Sequence, residues 1–73
     1  MKTQTNNSLL TVKANVFFEK DIIVHVTTHS GSWYNGMISE ICNIYIKLKT
    51  IPYGSEKIIF FSEIKSIDSY QPK

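Results

Sequence analysis

From Asp21 onward the chain alternates apolar and polar residues in short runs, the period of strands with one buried face. In DIIVHVTT, Ile22, Val24 and Val26 share one face, and Ile23, His25 and Thr27 the other. HSGS follows as a turn, with Gly31 free to take a positive φ. WYNGMISEI is a second strand with Tyr34, Gly36 and Ile38 on one face; a glycine there marks a sharp bend or a bulge. CNIYIKLK is a third, with Ile44, Ile46 and Leu48 inward and Tyr45, Lys47 and Lys49 outward. TIPYGS is a loop, EKIIFF a fourth strand and IKSIDSY a short fifth. Short strands at close spacing predict a mainly β chain folded as a small, strongly bent five-stranded barrel.

Before Asp21 the pattern is ambiguous. Ser8 can cap a short helix carrying Leu9, Val12 and Val16 on one side. Val12, Ala14, Val16 and Phe18 also alternate with Lys13, Asn15 and Phe17, and the β-branched content tilts the reading toward an extra strand. Glu19, Lys20 and Asp21 form a charged turn. Residues 9–70 are thus read as one domain, flanked by a loose segment 1–8 and a tail 71–73.

The fourth strand poses a problem of burial. Ile58, Ile59, Phe60 and Phe61 are consecutive large apolar residues, so both faces of that strand are apolar. A chain of 73 residues has little core to cover them. Cys42 is the only cysteine, which excludes an internal disulfide and a paired-cysteine metal site. Association with other subunits is the support that remains.

Charge narrows the function classes. The net charge is +2, and all eight basic residues are lysines. Without arginine, bidentate phosphate and base contacts are lost, which argues against tight charge-driven nucleic-acid binding. No apolar stretch approaches the roughly 20 residues of a membrane span. The polar opening MKTQTNNS is unlike a secretory signal, so a cytoplasmic protein without membrane contact is expected. His25 and His29 lie about 13 Å apart if extended, too far to share a metal ion. Cys42 has no activating neighbour and reads as an inert thiol, and Glu40, Glu56, Glu63 and Asp68 are scattered beside lysines. No glycine-rich phosphate loop is present. Catalysis, a cofactor, a metal and a small-molecule substrate are all unexpected.

Residues Ile22 to Ile67 resemble the Sm/LSm family, which includes the bacterial RNA chaperone Hfq. The resemblance rests on Gly31 and Gly36 with Tyr34 between them, on Ile41, Ile44, Ile46 and Leu48, and on FFSEIKSI with Ile64 and Ile67. It implies an Sm-like (SH3-like) barrel whose fourth strand pairs with the fifth of a neighbour, closing a homo-oligomeric ring of about five to seven subunits. Ile58, Ile59, Phe60, Phe61, Ile64 and Ile67 are then the candidate interface. Ring closure would cover the second apolar face and remove the exposed edges.

The same resemblance implies single-stranded RNA binding by two loops at the pore, but this chain departs from the pattern. Cys42 stands at the aspartate position, Ile46 at the asparagine, Asn43 at a glutamine of the Hfq form and Ile44 at its stacking aromatic. In the second loop Phe61 and Ser62 replace lysine and histidine. Asn43 can still bond a base edge and Phe61 can stack on one, at roughly 1–3 kcal/mol per base. The plain alternative is that Phe60 and Phe61 are core or interface residues. On the opposite face Trp33 stands in place of a lysine and Thr27 in place of a tyrosine. Trp33 is either a stacking platform beside Lys47 and Lys49 or a cover for the barrel's end. The candidate RNA residues are therefore Asn43, Ile44, Phe61, Ser62 and Trp33. The leading expectation is an RNA chaperone or scaffold. Its alternatives are a ring that binds protein instead, and a monomeric barrel gripping a peptide through Trp33 and Tyr53.

Overall fold

The alternating segments become one strongly bent antiparallel sheet in the computed structural model, which describes residues 5–71. Its strands are β1 (Val24–Thr28), β2 (Trp33–Ile41), β3 (Tyr45–Thr50), β4 (Glu56–Phe60) and β5 (Ile64–Ser69), in the spatial order β4-β3-β2-β1-β5. β4 and β5 are the two edges, joined by a single 3₁₀ turn, Phe61–Glu63. Period-2 burial is clearest in β1, where Val24, Val26 and Thr28 are buried and His25 and Thr27 are not. Val24, Val26, Ile38, Ile46, Leu48, Ile59, Phe61, Ile64 and Ile67 fill the core.

Bending has local causes. The register of β2 against β3 shifts between Ile38 and Glu40, and that of β1 against β5 between Thr27 and Thr28. Such bulges curl a sheet. At Gly36 the backbone of Lys49 and Thr50 comes so close that a Cβ would collide with the Lys49 carbonyl oxygen. Gly31, at φ +95°, turns β1 into β2, as its sequence context predicts.

The segment before β1 is a helix, α1 (Thr5–Glu19), not the extra strand toward which its composition tilts. It begins three residues ahead of Ser8, inside the segment set apart as loose; residues 1–4 and 72–73 of the two expected tails lie outside the described residues. Helical winding puts Leu10, Ala14, Phe17 and Phe18 against the core, which a strand's period cannot do. Asp21, at φ 55°, stops the helix in the left-handed region. There the Ile22 N–H donates to the Phe17 carbonyl and the Asp21 N–H to the Phe18 carbonyl, at 3.0 and 3.3 Å, which satisfies two orphaned acceptors. Lys13 Nζ reaches Asp68 of β5 at 3.0 Å and ties α1 to the sheet's edge.

Candidate functional site

Two ends of the sheet carry the candidate residues. At one end β2 turns into β3 through Cys42, Asn43 and Ile44, closed by the Cys42 N–H donating to the Tyr45 carbonyl at 3.0 Å. Asn43 and Ile44 are exposed there. The alternation puts Ile44 on the inward face of β3; it is instead part of the turn, because the ladder begins only at Tyr45. The Phe61 N–H donates to the Ile44 carbonyl at 2.9 Å. This bond brings the β4–β5 turn, with exposed Ser62, beside the β2–β3 turn.

Phe61 itself does not fit the stacking role. It is 3% exposed and belongs to the core, so its ring has no face free for a base. The four-residue apolar run resolves by position. Ile59 and Phe61 are buried, whereas Ile58 and Phe60 are close to half exposed on the outer face of edge strand β4. Of the six candidate interface residues, Ile59, Phe61, Ile64 and Ile67 are committed to the chain's own core. Only Ile58 and Phe60 of the six remain substantially exposed.

Phe60 meets the ring of its cross-strand neighbour Tyr45 edge-on at 5.9 Å. The Tyr45 hydroxyl donates to Glu40 Oε2 at 3.3 Å, and Lys47 Nζ lies 3.3 Å from Glu40 Oε1. The Glu40 charge raises the pKa of Tyr45 by disfavouring a phenolate beside it. It also raises that of Lys47, chiefly by accepting the ammonium's hydrogen bond. Cys42 is half-buried in the neighbouring turn.

Trp33 opens β2 at the other end, roughly 25 Å along the strand from Ile41. It is 61% exposed, so it does not close the barrel's end. His25 supports it from β1, ring centroids 5.9 Å apart. The amide oxygen of Asn35 can only accept, so His25 donates to it from Nδ1, which fixes the imidazole under the indole. A groove of about 270 Å³ runs beside Trp33, walled by Tyr34, Asn35, Ile51, Glu56 and Lys57. Lys57 Nζ sits 5.2 Å from the centre of the Tyr34 ring. The cation of this groove is thus Lys57, whereas Lys47, expected to serve Trp33, is engaged by Glu40. No local motif announces the meeting of Lys57 on β4 with Tyr34 on β2, since it takes the pairing of β3 with both strands to bring them together. Tyr53 protrudes from the β3–β4 loop and is not among the groove's walls.

A second cleft, of about 510 Å³, opens along β4 between Ile58, Phe60 and Lys57 on one side and, on the other, Thr28 at the end of β1 and His29 of the turn that follows. Among the described residues no group of three His, Cys, Asp or Glu side chains could hold a metal ion, and no helix is long and apolar enough to cross a membrane.

No family model matches the chain, and no curated protein matches it. Solved structures do. A crystal structure of "the pleiotropic translational regulator, Hfq" superposes with a TM-score of 0.69 at 20% identity, covering 77% of this chain and 90% of that one. At that identity the likeness is one of fold, and the resemblance read from Gly31, Gly36 and the spaced aliphatics is matched by the backbone. The chain has the Sm-like fold of Hfq: five antiparallel strands in one strongly bent sheet behind an N-terminal helix.

Proposed function

We propose that this chain forms a homo-oligomeric ring, of about five to seven subunits, that binds single-stranded RNA as a chaperone or scaffold and performs no catalysis. The bond between Ile44 and Phe61 carries the reading, because it gathers Asn43, Ile44 and Ser62 at one rim of an Sm-like barrel. Repeated around a ring, that rim becomes a circle of amide, aliphatic and hydroxyl groups able to meet base edges. Trp33 and its groove form a second base-stacking surface at the far end of β2.

Ring formation is supported by the edges. β4 and β5 each have one unpaired side, and β4 exposes Ile58 and Phe60 beside a cleft. A neighbour's β5 lying along β4 would pair both edges and cover both side chains. Charge is of mixed sign along the two strands, Glu56 and Lys57 on β4, Lys65 and Asp68 on β5, so no like-charge barrier opposes pairing.

A second reading, a ring that binds protein, is favoured by a specific observation: neither rim turn carries a lysine, and the chain has no arginine. Fluorescence anisotropy with labelled oligo-U, oligo-A and a DNA control, at low and at physiological salt, separates the two. Saturable, base-selective binding that survives the higher salt is expected. Equal, weak binding to all three that vanishes with salt would transfer the function to a protein partner. A native mass equal to the 8.4 kDa chain would remove both ring readings.

A further inference from the structure

Trp33 and Asn35 lie two residues apart on β2, so they share a face, and both belong to the walls of the groove. An asparagine amide ordinarily offers an acceptor and two donors, the combination that bonds adenine through its amino group and N7 together. In Asn35 the acceptor is already taken. Its Oδ1 receives the hydrogen that His25 donates from Nδ1, across the pairing of the two residues between β1 and β2. The Nδ2 hydrogens have no partner among the described residues. Lys57, in the same walls, adds an ammonium, which donates and never accepts.

His25 fixes this arrangement. Its ring lies against the indole, centroids 5.9 Å apart, and bonds Asn35 from Nδ1. While it donates, the amide cannot turn over without setting donor against donor. A base stacked on Trp33 therefore meets donors at its edge. A carbonyl oxygen satisfies them. An exocyclic amino group, itself a donor, leaves them unpaired, and an unpaired polar group costs more than an ordinary bond returns. Glu56 is the one carboxylate in the walls, and after Glu40 its charge also acts on Lys47, outside the groove.

We propose that the Trp33 groove selects bases that present a carbonyl, uracil and guanine, over adenine, and that His25 imposes the choice by orienting Asn35. The inference rests on the RNA reading and names the class of base taken by its second surface. His25 is a positioning residue here, acting through the amide.

Hypoxanthine carries a carbonyl where adenine carries an amino group, with a proton on the adjacent N1, and the two purines stack alike. Oligo-I and oligo-A of equal length therefore isolate the contact. Trp33 is the only tryptophan, so quenching of its fluorescence reports this groove and not the rim. Oligo-I is expected to bind roughly two- to ten-fold more tightly per base engaged, the worth of one net hydrogen bond. His25→Phe keeps an aromatic ring beside the indole but cannot donate, so quenching should persist while the ratio falls to about one. Asn35→Asp, an acceptor only, should turn the ratio in favour of oligo-A. Circular dichroism checks that both variants fold. Equal affinities in the unaltered chain would overturn the inference, as would a preference that neither variant changes. So would a preference for oligo-A that Glu56→Gln removes. Binding seen by anisotropy without quenching of Trp33 would overturn it too, and leave RNA at the rim standing. No binding by either measure would overturn the inference and the RNA reading together.

Discussion

Gly36 is where two strand backbones crowd most. A methyl at this position would stand 2.8 Å from the Cα of Thr50 and closer still to the Lys49 carbonyl oxygen. These are backbone atoms of a paired strand, not the ends of flexible side chains, so β2 and β3 must separate to admit them. Gly36→Ala should cost roughly 1–3 kcal/mol, the range for overpacking, read as a lower urea midpoint. Glu40 acts on its neighbours through charge. Because it raises the pKa of both Tyr45 and Lys47, folding favours their protonated forms. That contribution is full below the unfolded values, near 10.0 and 10.5, and fades as pH rises through the folded ones. Stability should therefore decline in strong alkali. Glu40→Gln should flatten the decline and let Tyr45 ionise at lower pH, followed by tyrosinate absorbance.

Strand β4 separates the side chains committed to the chain's own core from those open to the proposed ring contact. Ile59 is 1% exposed inside the barrel, whereas Ile58 and Phe60 point outward. Ile59→Ala should destabilise the chain by roughly 2–5 kcal/mol through lost burial and a residual cavity. Ile58→Ser should leave the melting of a dilute protomer nearly unchanged and lower the assembled mass. Calorimetry and native mass read the two effects apart, and equal loss of stability from both would refute the division. The strands were legible because period two shows through in β1 and β3, and because the β-branched and aromatic run at residues 58–61 marks β4 although both its faces are apolar. The helix was not, because Leu9, Val12 and Val16 outside and Leu10, Ala14 and Phe17 inside leave it apolar nearly all round, and no single period dominates. Alternation also misled at Ile44, where the rhythm of Ile46 and Leu48 runs on into a turn that the ladder does not reach. Pore candidates could be named from sequence, but the burial of Phe61 and the approach of Lys57 to Tyr34 depend on pairing between distant segments.

At the scale of the whole molecule the two ends of the sheet differ in kind, and if the chain binds RNA as proposed, salt should separate them. Asn43, Ile44 and Ser62 are neutral, so nucleic acid gripped at that rim would release few counterions from phosphates. The slope of log K against log salt scales with the number of phosphates neutralised, at about −0.7 per contact for single strands. Binding at the rim should give a slope close to zero, be weakened by Asn43→Ala and be indifferent to Trp33→Ala. The Trp33 groove brings Lys57 once per subunit, so a strand tracking several subunits there would add a phosphate contact at each. Its slope should steepen with oligonucleotide length, and Trp33→Ala should remove roughly 1–3 kcal/mol for each stacked base. A shallow slope abolished by Asn43→Ala assigns the RNA to the rim gathered by the Ile44–Phe61 bond. A steep slope abolished by Trp33→Ala moves it to the other end of β2, and the lysine that supports binding is then Lys57, not Lys47, which Glu40 holds.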